Sequence, residues 1–368
     1  MEKMKQVPFN KPYLTGNETK YIEQAVASGK ISGNGVFTQK CQQFFEERYG
    51  ITKTLLTTSC TDALEMCAIL LNIKEGDEVI MPSYTFVSTA NAFVLRGAKI
   101  VFADSRADQP NIDENSIEAL ITPKTKAIVV VHYAGVACEM DTIMALAKKY
   151  GIYVVEDAAQ AIDSYYKGKA LGSIGHLSAF SFHETKNVIS GEGGLLGIND
   201  TQFIERAEII WEKGTNRSAF FRGEIDKYGW VDVGSSFLPS EIIAAFLWAQ
   251  LENLEDIQNR RKEIWNGYFT FFKENNNIKL PLVPKYATNN AHMFYVLLES
   301  LKKRNEFIAS YKEKGVNPVF HYVSLHSSPY FKEKHDGRVL ANCDKYADTL
   351  VRMPLYYELE QEVVFNSK

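Results

Sequence analysis

One lysine in this chain is framed in a way that a solvated lysine does not need. Lys186 lies in "SFHETKNVISGEGG" (181–194), with Phe180 and Phe182 before it and Gly191, Gly193 and Gly194 after it. The apolar residues place it at the end of a buried strand, and the glycines let backbone pass close by. An amine held inside a site becomes a nucleophile or a base, because burial lowers its pKa. A second charged group occupies a comparable place: Asp157 ends the apolar run "IYVVED" (152–157). A carboxylate there costs several kcal/mol to desolvate unless a cation faces it. Taken alone, Asp157 fits a structural ion pair or a helix cap as well as a reactive site.

A third feature is "SCTDAL" (59–64), which reads as a turn entering a helix. The hydroxyls of Ser59 and Thr61 and the free N–H groups of the helix end form a ready anion site. As an isolated hexapeptide it reads more readily as an ordinary N-cap. Ser181, at the head of the lysine segment, offers a further hydroxyl. Phe86, in "SYTFVST" (83–89), either lies flat on a planar ring or packs in a core. Together, a buried carboxylate, an anion site, a flat aromatic and an enclosed lysine point to pyridoxal 5′-phosphate. Its aldehyde is captured by a lysine amine, and its ring nitrogen is kept protonated by a carboxylate.

Elements must bring these residues together. The 368 residues suffice for about two domains. Strand candidates are 78–81, 99–103, 127–133, 152–156, 177–182 and 194–198, several of them apolar without alternation, as in strands buried on both faces. Helical patterns at 61–72, 87–95 and 139–150 lie between them. This is the α/β rhythm of a mostly parallel sheet covered by helices. Ligands gather beyond the carboxyl ends of such strands, where "TTSCTDAL", "PSYTF", "EDAAQ" and "SFHETK" all fall. One long helix is expected over 240–275, followed by short strands near 293–300 and 316–326. The expected division is a large α/β domain over 14–249 and a smaller α+β domain over 250–368, joined by the arm 1–13.

Composition narrows the function classes. A chain that is 45% hydrophobic and 23% charged is globular, and a net charge of −4 provides no polycation for nucleic acid. The five cysteines form no CxxC pair and no zinc spacing, so no metal site is expected. Reduced thiols, the lack of an apolar leader in "MEKMKQVPFNKPYL" and the lack of a membrane-length apolar run lead to a cytoplasmic, non-membrane expectation. No GxGxxG follows an early strand, which argues against a nicotinamide-dependent dehydrogenase.

The motifs "EDAAQ", "FSFHETKN", "GEGG", "SCTDAL" and "PSYTFVSTANAF", with the longer "VACEMDTIMALAKK" and "AHMFY", resemble the DegT/DnrJ/EryC1/StrS sugar-nucleotide aminotransferases over nearly the whole chain. The resemblance implies the aspartate aminotransferase-like (type I) pyridoxal phosphate fold. It implies that Lys186 binds the cofactor aldehyde, Asp157 meets the ring nitrogen and Gln160 meets the ring oxygen. It further implies that Cys60, Thr61 and Ser181 hold the phosphate and that Phe86 stacks on the ring. His183, in "FSFH", matches members that aminate C4; members that aminate C3 commonly carry tyrosine there. The implied donor is L-glutamate, and the implied acceptor is the C4 ketone of dTDP-4-dehydro-6-deoxy-D-glucose. The product would be dTDP-4-amino-4,6-dideoxy-D-galactose for cell-surface glycans. Another 4-keto or 3-keto sugar, or a non-catalytic pyridoxal phosphate-binding regulator, are the alternatives. A dehydratase of this fold would carry histidine in place of Lys186. Where many members read GxNxR, this chain reads "GSSFL" (234–238), so Ser236 takes the place of an asparagine that reaches the neighbouring subunit's phosphate. The family is generally dimeric with interfacial sites, so a homodimer is expected. Ser32, His321, Tyr322 and His326 are candidates to border the sugar, and the two histidines and the tyrosine read equally well as core residues. No arginine stands out as a clamp for the donor's carboxylate.

Overall fold

The structure, a computed structural model, describes residues 6–366. Seven strands build the main sheet: β1 (Lys53–Thr57), β2 (Glu78–Pro82), β3 (Lys99–Ala103), β4 (Thr125–Val131), β5 (Tyr153–Asp157), β8 (Leu177–Ser181) and β9 (Gly194–Ile198). Between β5 and β8, the short pair β6 (Tyr165–Tyr166) and β7 (Lys169–Ala170) forms a separate hairpin. The sheet order is β1-β9-β8-β5-β4-β2-β3, and only β9 runs against the rest.

The sheet is mostly parallel because both its faces are covered. In β2, Val79 and Met81 enter one apolar core while Ile80 enters the other; in β4, Val129 faces the first core and Ile128 and Val130 the second. Helices Cys60–Leu70 and Val87–Val94 contribute to the first core, and helix Met140–Tyr150 to the second. Alternation thus sends apolar side chains to two cores, which is why these strands read as unbroken apolar runs.

The stretch 240–275 forms two helices, Glu241–Glu252 and Leu254–Phe272, rather than the single helix expected from its pattern. They meet at Asn253, whose side-chain amide donates back to the Ala249 carbonyl at 2.9 Å, a local bond that competes with helix continuation. Glu241, buried at the start of the first of these helices, accepts from the N–H groups of Gly35 (2.9 Å), Phe37 (2.8 Å) and Thr38 (3.0 Å). It caps helix Val36–Tyr49, which has no side-chain cap of its own.

A second, antiparallel sheet of order β10-β12-β11 is formed by β10 (Phe294–Leu297), β11 (Val319–Phe320) and β12 (Leu350–Met353). A third apolar core lies on one of its faces and takes in Phe294, Val296, Val351, Met353 and the later half of helix Leu254–Phe272. The N-terminal arm joins here, with Val7 exchanging backbone bonds with Gly315 and Asn317. Among the described residues, no helix is long and apolar enough to cross a membrane.

One contact sets the helix–sheet geometry beneath the anion-binding turn. A Cβ on Gly194, the first residue of β9, would stand 2.3 Å from the Ser59 carbonyl carbon and 2.4 Å from the Cys60 nitrogen, all backbone atoms. Gly194→Ala is therefore expected to destabilise the protein by roughly 1–3 kcal/mol, the usual range for overpacking. Urea unfolding measures this, and an unchanged midpoint would refute the tight-approach reading.

Candidate active site

Asp157 is the last residue of β5, at the carboxyl edge of the sheet. Its Oδ2 accepts from the Thr89 hydroxyl at 2.7 Å and its Oδ1 from the Ala159 N–H at 3.2 Å. Burial raises its pKa above the ordinary carboxylate value, against the lowering effects of Thr89, the Ala159 N–H and the Lys186 charge. Thr89 is itself oriented by the hydroxyl of Thr85, in the bend just before the helix, at 2.9 Å.

Lys186 follows β8 in a tightly tied loop. The N–H of Phe182 donates to the Gly193 carbonyl (2.8 Å), that of Glu184 to Gly191 (2.9 Å) and that of Ser190 to Phe182 (2.7 Å). The next residue anchors the loop to other elements: the Asn187 amide donates to Gln258 Oε1 (2.7 Å) and the Asn290 carbonyl (2.9 Å). Its Oδ1 lies 2.8 Å from His292 Nδ1, which must carry the proton. The Lys186 backbone is thereby fixed, while its amine has no ion-pair or hydrogen-bond partner among the described residues. Burial lowers its pKa, opposed by Cys60 and Asp157 and aided by the charge of Arg352.

The third group is the start of helix Cys60–Leu70. Ser59 caps it, its hydroxyl accepting from the Asp62 N–H at 3.1 Å. The N–H groups of Cys60 and Thr61 have no acceptor among the described residues, and the Thr61 hydroxyl donates to Ser88 at 2.8 Å. This is a polarised, open helix end suited to a phosphate.

These groups face one cavity of about 610 Å³. Eleven of the residues singled out in the sequence line it: Ser59, Cys60, Thr61, Phe86, Asp157, Gln160, Ser181, His183, Lys186, His321 and Tyr322. Phe86 is 55% exposed, leaving a ring face open to the cavity. Gln160 is held at both ends, its Oε1 accepting from the Ala134 N–H (2.7 Å) and its Nε2 donating to the Tyr322 hydroxyl (3.1 Å). Tyr322 adopts the left-handed region at φ 56°. His321 sits against it with ring centroids 3.5 Å apart and has its Nδ1 2.7 Å from the Tyr133 hydroxyl.

Three of the candidates lie elsewhere. His326 does not reach the cavity, because Ser83 holds its Nδ1 at 2.8 Å and Asp344 stands 3.5 Å from its Nε2. Ser32 is exposed on a loop whose Gly33 abuts Leu238 and Pro239, and Ser236 is exposed in a backbone bridge with Glu212. Sequence reasoning passed over Thr89, His292 and Arg352. Thr89 could have been found by its place in the first turn of a helix entered from the strand-end segment "PSYTF", and Arg352 by its charge within the apolar strand "LVRMP".

An unpaired amine, a buried carboxylate, an open helix end and an exposed aromatic face suit the aldehyde, ring nitrogen, phosphate and ring of pyridoxal phosphate in turn. Fold and site together define a pyridoxal phosphate-dependent aminotransferase. Residues 12–366 match the DegT/DnrJ/EryC1/StrS aminotransferase family, and the chain belongs to it. It is similar to the spore coat polysaccharide biosynthesis protein SpsC of Bacillus subtilis, with 32% identity over 97% of this chain and 94% of that one. It is also similar to the GDP-perosamine synthase of Escherichia coli O157:H7, with 34% identity over 92% and 90%. A putative sugar aminotransferase, Spr1654 of Streptococcus pneumoniae, superposes in its PLP form with a TM-score of 0.89 at 26% identity, covering 99% of this chain and 97% of that one.

The lysine's anchor predicts a pH effect. His292 is buried, and burial first, then the charges of Lys186, Arg352 and Arg261, hold its pKa well below 6.5. Below pH 6.5 the unfolded chain therefore binds a proton that the folded chain does not, and stability falls as pH drops. His292 can contribute up to about 1.4 kcal/mol per pH unit. Comparing urea-unfolding free energies from pH 6.5 to about 5, His292→Gln should flatten this slope by up to that amount. An identical slope would show that His292 does not stay neutral in the folded protein.

Proposed function

We propose that this aminotransferase moves the amino group of L-glutamate to the C4 ketone of dTDP-4-dehydro-6-deoxy-D-glucose, yielding dTDP-4-amino-4,6-dideoxy-D-galactose for cell-surface glycans in the cytoplasm. The observation that carries the chemistry is the unpartnered amine of Lys186 in the same cavity as Asp157. The C4 assignment draws on the "FSFH" segment, whose His183 lines that cavity, and on the sequence resemblance of the whole chain.

Bound pyridoxal phosphate supplies an aldehyde for the donor's amine and a ring that takes up the electron pair of the broken C–H bond. The chain's residues do the rest. Asp157 keeps the ring nitrogen protonated, and a cation there compensates the carboxylate that burial penalises. The N–H groups of Cys60 and Thr61, with Ser59 and Ser181, receive the phosphate. Phe86 would cover one face of the ring, and Gln160, fixed by Ala134 and Tyr322, would meet its ring oxygen. Lys186 Nζ, which burial shifts toward its neutral form, takes the proton from the donor's α-carbon and in the second half-reaction delivers one to sugar C4. Tyr322 and His321 form the wall nearest the sugar.

The active unit is proposed to be a homodimer, with Ser236 and the 213–222 segment at the interface. The support is an exposed apolar run there: Phe221, Tyr228, Trp230, Val231 and Val233 are all open to solvent, Trp230 by 84%.

Two measurements test the reading. Lys186→Ala should lose the visible absorbance band of the lysine-bound cofactor and slow transamination by about 10²–10⁴-fold or more, and Asp157→Asn should retain cofactor but lose about 100-fold in rate. A Lys186→Ala enzyme with normal turnover would refute the lysine's role. Incubation with L-glutamate and a panel of 3-keto and 4-keto dTDP-, UDP- and GDP-sugars, read by mass and NMR, should show amine at C4 of the dTDP sugar. Consumption of a 3-keto sugar alone would reject the C4 assignment.

A further inference from the structure

We propose that Arg352 is the clamp for the carboxylate of the amino donor, an assignment that rests on the aminotransferase reading above. Arg352 lies in β12, whose alternation sends Val351 and Met353 into the third core. Arg352 therefore emerges on the opposite face of the small sheet, in register with Tyr295 and Val319, and its side chain lines the cavity that holds Lys186 and Asp157.

An arginine carries five N–H donors and normally spends them on carboxylates or carbonyls when it leaves water. Arg352 spends none. It makes no salt bridge or hydrogen bond among the described residues, and its Nε is fully buried with no partner. The ring of Phe9, 4.7 Å from the guanidinium carbon, is its one close cation–π contact. Burial lowers its pKa, and the nearby phenols of Tyr133, Tyr322 and Tyr84 oppose that only in part. Its charge is felt across the cavity, where it lowers the pKa values of Lys186, His292 and His321.

Arg352 is half-buried, and a guanidinium whose Nε lies fully buried without a partner is costly unless an anion arrives with the substrate. The acids lining the cavity, Asp157 and Glu192, do not pair with it: Asp157 is taken up by Thr89 and the Ala159 N–H, and Glu192 stands 3.7 Å from His183. The cofactor phosphate has its own place at the Cys60 and Thr61 N–H groups. A sugar diphosphate carries more charge than one planar fork matches, and aromatic walls enclose this fork. A carboxylate fits it, and in an amino acid the carboxylate shares its carbon with the amine that reacts. Arg352 is thus the group that holds the donor's α-carbon within reach of Lys186.

The test uses holoenzyme carrying Arg352→Gln or Arg352→Lys. In single-turnover reactions, the apparent Kd for L-glutamate should rise about 10–100-fold in the glutamine variant and less in the lysine variant. The cofactor band and the KM for the nucleotide sugar should stay at wild-type values. Succinate, an unreactive dicarboxylate, should raise the melting temperature of wild-type holoenzyme and not that of Arg352→Gln. An unchanged glutamate Kd overturns the proposal. So does a rise in sugar KM without a glutamate effect, which would mark a diphosphate site, or an equal loss for both substrates, which would mark a structural role. Wild-type holoenzyme that binds cofactor yet reacts with no amino acid would sink the aminotransferase reading itself, and the clamp with it.

Discussion

The site depends on keeping an amine and a carboxylate in one cavity without letting them pair. Lys186 and Asp157 each stabilise the other's charge, yet burial outweighs that attraction at both groups, lowering the pKa of the amine and raising that of the acid. Direct contact would give a stable ion pair and an inert lysine. The structure avoids it by committing Asp157 to Thr89 and the Ala159 N–H, and by fixing the Lys186 backbone through Asn187. What remains between them is space for a planar group that is cationic at one end and electrophilic at the other.

The sheet makes this separation possible. Glu156 and Asp157 are neighbours in the chain, but strand alternation turns them to opposite faces. Glu156 is fully served: it accepts from His132 Nε2 (2.9 Å) and from the N–H groups of Gly172 (2.7 Å), Ile174 (2.8 Å) and Gly175 (2.5 Å). Burial works to raise its pKa, but His132 and those N–H groups hold it below the ordinary range. Asp157 receives two bonds and keeps its burial penalty. Of two adjacent acids, one is structural and the other is poised, and the difference lies in how many donors each face supplies.

The small sheet adds the positive side of the cavity. Arg352 lies in the small sheet, Lys186 in the loop that follows a strand of the large one, and His292, which steadies that loop, on the approach to β10. A single crevice therefore collects an anion site, an unpaired amine and an unpaired guanidinium. His326, Ser83 and Asp344 serve instead as a polar tie between the two parts, with the Leu325 N–H also bonded to the Ser83 carbonyl.

The parallel strands, the helix opening at Cys60 and the sites of Lys186, Asp157 and Phe86 were legible in the chain, because each is written in a few consecutive residues. Apolar runs of strand length, a hydroxyl before a helix and a glycine turn after a lysine are local signals. The break at Asn253 was not legible, since the apolar pattern continues across it and one side-chain bond decides it. Thr89 and Arg352 left only a faint local trace and His292 none, because the groups that they meet lie tens to hundreds of residues away. Gly194 reads in sequence as a place where backbone passes close by, and the fold shows which backbone it is, that of Ser59–Cys60, which leaves a side chain no room. The sequence by itself determined which polar residues fall at the strand ends, because secondary structure follows from short-range periodicity. Tertiary structure alone decided which charges stay unpaired, because pairing and desolvation depend on what the fold brings near from elsewhere in the chain.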